Sequence, residues 1–231
     1  MIATAGFFSE YGAEMLQSTQ EHVMLTLTAM LIASTIAVPL GIMLARCRLK
    51  LIVNIIMGLV NIIQPIPSLA LIALTVVVFY LINEFLGVRA LATLGTAPAL
   101  VALVAYALLP ILRNTYTGIR QVDPAVVEVA TGMGMTQRQI LFSVQLPLAL
   151  PFIMAGVRIS TVWTIGVATL VSLVGAGGLG DLIFRGLSNY RIHLILAGAA
   201  PAAALALIFD WLLGRLERWL TPIGLQRAQT P

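Results

Sequence analysis

Two segments of this sequence contain residue patterns found at binding or catalytic sites. The segment GAGGLG at 175–180 matches the glycine pattern of a dinucleotide-binding turn, but that pattern binds a nucleotide only between a strand and a helix. Here it follows a long apolar run, which favours a simple turn with glycines Gly175, Gly177, Gly178 and Gly180. The sequence has no phosphate-binding loop, catalytic triad, carboxylate pair or Cys/His metal spacing. We therefore expect no enzyme activity, and no cofactor or metal bound by this chain.

A second candidate is the polar segment EVATGMGMTQRQILFSVQLP, residues 128–147. Asp-Pro at 123–124 predicts the start of a helix, with the aspartate as its cap and the proline in its first turn. Gly134 is expected to end that helix in a left-handed conformation. Thr136 and Gln139 have the spacing of a capping box. The segment therefore predicts a helix, a glycine turn and a second short helix that runs to the closing proline.

Two roles are open for such a projecting helix pair. It could cover helix ends or lie at a membrane surface, or it could dock against another protein. Helices that lie at a membrane surface usually carry many Lys and Arg residues on their polar face, whereas this segment has only Arg138. The composition favours docking.

The rest of the sequence, which carries these two segments, is mostly apolar. Of the 231 residues, 60% are hydrophobic and 10% are charged, against about 45–50% and about 25% in soluble domains. Charge-free runs of roughly 20 residues are long enough to cross a hydrocarbon core about 30 Å thick. The net charge is +4, but the basic residues are scattered, which argues against a nucleic-acid partner. We predict an all-α, polytopic protein in contact with membrane lipid, with a single domain over 1–231.

Five transmembrane helices are predicted. The second apolar run is long enough for about 48 Å of helix, so it could hold two spans. No basic or turn-rich loop divides it, and we interpret it as one long or kinked helix that bends at Pro65 and Pro67. The predicted spans are about 22–45, 51–82, 97–112, 148–174 and 193–213.

The basic residues assign the two sides of the membrane. Five spans place Arg46, Arg48, Lys50, Arg113, Arg120, Arg138, Arg215, Arg218 and Arg227 on one side, and Arg89, Arg185 and Arg191 on the other. Positive residues concentrate on the cytoplasmic side of membrane proteins. We therefore expect the N-terminus outside, the C-terminus in the cytoplasm, and the loop at about 120–147 in the cytoplasm.

In this topological setting the 128–147 segment resembles the "EAA" loop of permease subunits of binding-protein-dependent ABC importers. That pattern is EAA, three residues, G, nine residues, then I-x-L-P, and every spacing fits. Val129 and Val144 depart from it by conservative apolar changes. The residues that match are Glu128, Ala130, Gly134, Leu146 and Pro147.

The resemblance covers nearly all of residues 20–220 and implies the type I permease fold of the methionine importer. The stretches 108–119 and 166–180 look most like the subgroup that imports glycine betaine, carnitine or choline. One alternative is that the same architecture imports another small solute, such as methionine or a sulfonate. A secondary transporter is a further alternative. A secondary transporter would show internal repeats, and none is evident.

The family also implies partners and a location. The chain would form the substrate pathway in a bacterial cytoplasmic (inner) membrane, paired with an identical or paralogous second permease copy. An extracytoplasmic binding protein would deliver the substrate. Cytoplasmic ATPase subunits would bind ATP and Mg²⁺ and receive the 120–147 loop as a coupling element, and the 175–180 turn would lie near the outer gate.

Three further residues in the spans are candidates for pathway or structural roles. Arg158 could pair with Asp210 on the antiparallel fifth span, or it could extend along its own span to the cytoplasmic interface. Trp163, like Tyr106, could face a quaternary ammonium group, or it could simply pack within the membrane.

Overall fold

A computed structural model describes residues 3–63, 65–87 and 91–221. Within these ranges every regular element is a helix. Arg89 and Arg227, which contribute to the predicted charge asymmetry, lie outside the described residues, as do both ends of the predicted 1–231 domain.

The regular elements of the described residues are nine α-helices, one π-helical turn and one 3₁₀ turn. The α-helices are α1 Ala3–Arg46, α2 Lys50–Ile63, α3 Ser68–Leu86, α4 Thr96–Arg120, α5 Pro124–Gly132, α6 Gln137–Ile140, α7 Leu146–Ala168, α8 Leu179–Ser188 and α9 Ile192–Leu220. A π-helical turn, Leu141–Gln145, joins α6 to α7, and a 3₁₀ turn, Leu170–Val174, follows α7.

Five helical segments are long and apolar enough to cross a membrane, which confirms the all-α class and the count of five. They are Tyr11–Arg46, Ser68–Leu86, Thr96–Arg120, Gln137–Ala168 and Ile192–Leu220. All of them except Ser68–Leu86 begin earlier than predicted, and Thr96–Arg120 and Ile192–Leu220 also extend well beyond their predicted ends. Packing explains the extension of α4 to Arg120, because Gly118 and Ile119 are buried although the sequence around them is polar.

The prediction of one long or kinked helix over 51–82 is wrong. The run forms two helices, α2 and α3, and the chain breaks between them at 65–67. Pro65 and Pro67 lack N–H groups and disfavour helix in the residues that precede them. The Tyr106 hydroxyl of α4 donates a hydrogen bond to the carbonyl of Ile66, which satisfies a group that the break leaves free. Of the two helices only α3 spans, because the 14 residues of α2 reach about 21 Å.

The centre of the fold is α4, which packs along both α1 and α7. Close approach depends on glycines at the crossings. A Cβ on Gly41 of α1 would lie 2.7 Å from the Thr115 Cβ of α4, and one on Gly156 of α7 would lie 2.7 Å from the Asn114 Cβ. Small residues allow membrane helices to pack closely where the hydrophobic effect does not drive their association. Alanines line the same contacts, at Ala29, Ala33 and Ala37 of α1 and at Ala99, Ala102 and Ala107 of α4.

Candidate functional site

The polar loop begins with a capped helix, as predicted. The Asp123 side chain accepts a hydrogen bond from the Ala125 N–H at 2.8 Å, and Pro124 occupies the first turn of α5. The cap satisfies one of the N–H groups that a helix start leaves unpaired. The loop therefore leaves the end of α4 with a fixed local geometry.

Gly134 ends α5 in the left-handed conformation that the sequence predicts, with φ of +81°. Its N–H donates to the Thr131 carbonyl at 2.9 Å, and the Met135 N–H donates to the Ala130 carbonyl at 3.2 Å. These two bonds are those of a Schellman C-cap. A Cβ at Gly134 would meet nothing within 4 Å, so the backbone conformation rather than crowding within the chain requires glycine here.

The capping box of the second helix is also present. The Thr136 N–H donates to Gln139 Oε1 at 2.8 Å, and the Gln139 N–H donates to Thr136 Oγ1 at 3.4 Å. The two helices of the loop are thus joined by a glycine corner and a capped start. Both the glycine corner and the cap are local structures, and together they restrict the angle between α5 and α6.

The end of the loop differs from the prediction. The short helix was expected to run to Pro147, with the proline starting the next span, but Gln137–Ala168 is one continuous helical segment. The Leu146 N–H donates to the Leu141 carbonyl across five residues, which widens the helix just before the proline. A π-turn accommodates a residue that has no N–H and whose ring would collide with the preceding turn. The second helix of the loop and the fourth span therefore form one continuous helical segment.

One face of α5 is apolar and exposed. Val126 and Val129 of α5 are 42% and 63% exposed, and Met133, its C-cap, is 69% exposed. Their spacing of three and four residues places them on one side of the helix. Glu128 is exposed beside them, whereas Ala130 is buried. Exposed apolar surface outside a membrane span is typical of a protein interface.

Sequence reasoning missed the residue that ties the loop to the membrane domain. Both terminal nitrogens of Arg46, at the end of α1, donate to the Gln137 carbonyl at 3.2 Å, and Nη2 also donates to Gln137 Oε1 at 2.7 Å. The two residues are 91 positions apart, so no local pattern could reveal the contact. Leu146 of the predicted site packs with Leu141 against the ends of α1 and α4, through Ala45 and Ile119 among others.

The predicted turn at 175–180 is a tightly defined structure. Gly175, Gly177 and Gly178 have φ of +81°, +77° and +88°, values that favour glycine. Gly180 lies in the first turn of α8, where a Cβ would lie 1.9 Å from the Thr169 carbonyl. The Gly95 N–H donates to the Val174 carbonyl at 2.7 Å, which joins the turn to the start of α4.

Two residues of α1, Glu21 and His22, lie against this turn, and sequence reasoning did not select them as site residues. Glu21 Oε2 accepts a hydrogen bond from the Gly178 N–H at 3.0 Å. His22 is 1% exposed, with Nε2 3.1 Å from the Ile165 carbonyl and Nδ1 3.3 Å from the position of a Cβ on Gly178. Burial raises the pKa of Asp181 in α8 above its ordinary value, and the carboxylate of Glu21 acts in the same direction.

Arg158 pairs with Asp210, which was one of the two predicted alternatives. Arg158 Nε lies 2.5 Å from Asp210 Oδ1 and Nη2 lies 2.7 Å from Oδ2, a bidentate arrangement. Glu217 Oε2 lies 3.9 Å from Nη1. Gly214 makes room for the guanidinium, because a Cβ there would lie 3.2 Å from Nη1. The pair joins α7 to α9 within the spans.

The structure therefore places the predicted residues in three separate regions: the loop, the glycine turn and the ion pair. Trp163 lies on α7 with half of its surface exposed, and its role stays a prediction. The described residues contain no group of three or more His, Cys, Asp or Glu that could hold a metal ion.

Residues 37–222 match the family described as "Binding-protein-dependent transport system inner membrane component". The chain is 44% identical over 229 residues to the carnitine transport permease protein OpuCB of Listeria monocytogenes. The alignment covers 99% of this chain and 98% of that protein. It is 47% identical over 223 residues to the choline transport system permease protein OpuBB of Bacillus subtilis, with 96% of each chain covered.

Among solved structures, the chain is similar to an inward-facing form of the MetNI methionine ABC transporter. The TM-score is 0.76 at 22% identity, over 90% of this chain and 96% of that one. A crystal structure of an amino acid ABC transporter with histidines gives a TM-score of 0.75 at 21% identity, over 94% and 99%. At this identity the likeness concerns the fold.

The ion pair gives a direct test of the membrane packing. Asp210→Ala leaves Arg158 without its main partner, and an unpaired arginine at a helix centre costs about 2.5–3.5 kcal/mol on insertion scales. We expect the loss of stability to be smaller than this, because the arginine side chain can reach the membrane interface. The thermal unfolding midpoint of the purified chain should still fall clearly. The double variant Arg158→Leu/Asp210→Leu should recover most of it. Equal midpoints for Asp210→Ala and the unaltered chain would contradict a stabilising pair.

Proposed function

The chain belongs to the family of binding-protein-dependent transport system inner membrane components, and from this premise we propose that it forms the pathway for uptake of an osmoprotectant. Glycine betaine, carnitine and choline are the proposed substrates. The observation that carries this proposal is the high identity over nearly the whole chain to permeases whose names specify carnitine or choline. A third relative, from Bacillus subtilis, is a glycine betaine/carnitine/choline transport system permease protein that is 46% identical over 220 residues.

These substrates share one chemical feature, a quaternary ammonium group. Such a group cannot donate hydrogen bonds and is bound through the faces of aromatic rings. Trp163 is a candidate for this contact because half of its surface is exposed in the single chain. The Tyr106 hydroxyl donates a hydrogen bond to the Ile66 carbonyl, so only the ring of Tyr106 could contact the ammonium group. The alternative substrates, methionine or a sulfonate, have weaker support, because the methionine transporter resembles this chain only at the level of fold.

Uptake into proteoliposomes tests the substrate class. The chain is reconstituted with its ATPase and a binding protein, and the entry of radiolabelled glycine betaine, carnitine and choline is measured with ATP inside. We expect uptake of at least one of the three, competition among them, and no competition from methionine. Uptake of methionine alone, or uptake without the ATPase, would contradict the proposal.

We further propose that the 120–147 loop docks on a cytoplasmic ATPase subunit that binds ATP and Mg²⁺. The exposed apolar face of α5, with Glu128 beside it, supports this role. The concentration of basic residues on the side of the loop supports a cytoplasmic position, with the N-terminus outside. By analogy with the family, an extracytoplasmic binding protein delivers substrate on the opposite side, near the turn at 175–180. Two permease copies, identical or paralogous, enclose the pathway.

The proposed coupling depends on the glycine corner. Gly134→Val forces a β-branched residue into a left-handed conformation, which costs about 1–3 kcal/mol, and each 1.4 kcal/mol is about tenfold in population. We expect ATP-driven uptake to fall roughly tenfold while ATP hydrolysis continues, since the angle between α5 and α6 changes.

Gly132→Val is the matched control. Gly132 is also exposed on the loop, a Cβ there meets nothing within 4 Å, and it has no left-handed φ. We expect this variant to transport almost normally. Unchanged uptake in Gly134→Val, or an equal loss in both variants, would contradict the proposed role of the corner.

A further inference from the structure

A cavity of about 410 Å³ opens where α1 ends, α2 begins and α4 ends. Arginine and lysine dominate its polar lining. Its polar side chains come from Arg46, Arg48, Lys50, Asn54, Tyr116 and Arg120, and no carboxylate is among the described residues that line it. Four cationic side chains thus converge on one space from three different helices or their ends.

These cations are not neutralised within the described chain. Arg48, Lys50 and Arg120 are exposed, and the described residues contain no ion pair to any of them. Arg46 contributes its charge to the cavity, although it donates its hydrogen bonds to Gln137. Like charges held close together repel one another, and a bound anion removes that repulsion. Asn54 and Tyr116 add neutral hydrogen-bonding groups beside the charges.

One wall of the cavity continues into an apolar, exposed surface. Leu51, Ile52 and Ile55 of α2 are 71%, 43% and 53% exposed, and Leu49 just before the helix is 63% exposed. On its other side, α2 packs through Val53 against the core of α1 and α4. Lys50 and Asn54 lie one turn apart on α2, next to this apolar face. An occupant therefore meets positive charge at one end and hydrocarbon-like surface along its length.

We propose that this cavity binds the headgroup phosphate of an anionic phospholipid, whose acyl chains lie along the exposed face of α2. Basic pockets between membrane helices at the membrane surface recognise such headgroups. A free anion would satisfy the charges but would leave the adjoining apolar face of α2 uncovered. The position of the cavity at the ends of spanning helices α1 and α4 also suits a lipid at the membrane surface.

The site adjoins the anchor of the loop. Arg46 lines the cavity and holds Gln137 at the start of α6. A lipid phosphate in the cavity therefore lies beside the residue that fixes the loop to the membrane domain. The proposal concerns lipid binding by this chain and does not depend on the transported substrate.

Native mass spectrometry of the full-length chain in its transporter complex tests the proposal. The protein is purified in mild detergent and titrated with dioleoyl-phosphatidylglycerol or with dioleoyl-phosphatidylcholine. We expect preferential retention of phosphatidylglycerol. The triple variant Arg48→Gln/Lys50→Gln/Arg120→Gln should bind it roughly tenfold more weakly or worse, because three charges near the headgroup are lost. If that variant does not fold, Lys50→Gln alone should still give a smaller loss, since Lys50 is exposed at the start of α2.

The matched control Arg113→Gln/Arg138→Gln/Arg215→Gln removes the same charge from residues outside the cavity lining and should retain phosphatidylglycerol. Equal losses in both triple variants would overturn the proposal, since they would indicate general electrostatic attraction. Displacement of the lipid by millimolar inorganic phosphate, with glycerophosphate binding as well as the lipid, would also overturn it in favour of a free-anion site. Retention of phosphatidylglycerol by the cavity variant would show that the lipid binds elsewhere.

Discussion

The constraint on which this structure depends is that hydrocarbon offers no hydrogen-bonding partner. Every backbone group and every charge within the spans has to be satisfied by the protein itself. The spans are therefore long helices. Where the helix stops between α2 and α3, the Tyr106 hydroxyl bonds the freed carbonyl of Ile66. Arg158, in the fourth span, is paired with Asp210 of the fifth. The sharp turns at Gly134 and at Gly175–Gly178, which involve left-handed backbone, lie outside the spans.

The same constraint makes the loop at 120–147 distinctive. It leaves α4 through the Asp123 cap, turns at Gly134, and returns through a helix that continues without interruption into α7. Arg46 fixes the start of that helix to the end of α1. A displacement of α5 therefore reaches three spanning helices through hydrogen bonds and continuous backbone. Packed elements of this kind move as rigid bodies rather than by gradual deformation. This is the mechanical basis of the proposed coupling to an ATPase.

Local signals made much of this predictable from the sequence. The aspartate cap, the left-handed glycine and the capping box each depend on residues at most five positions apart, so their spacing alone identifies them. The count of five spans followed from length and apolar composition. The break at 65–67 was missed because no polar loop marks it. The contacts of Arg46 with Gln137 and of Glu21 with Gly178 join residues 91 and 157 positions apart, and they depend on which helices become neighbours. For Arg158, the antiparallel fourth and fifth spans made a pair with Asp210 possible. The long arginine side chain could equally have reached the cytoplasmic membrane interface, so the sequence left both alternatives.

Site-specific photo-crosslinking can show whether the 120–147 loop docks on the ATPase subunit. In the assembled transporter, a benzophenone amino acid replaces Met133, which is 69% exposed at the end of α5, or Tyr190, which is 93% exposed beyond α8. The proposed mechanism predicts a covalent adduct with the ATPase subunit from position 133 and none from position 190. An assembled, active transporter that gives no ATPase adduct at position 133, or gives one at position 190, would contradict the claim that this loop receives the force of ATP hydrolysis.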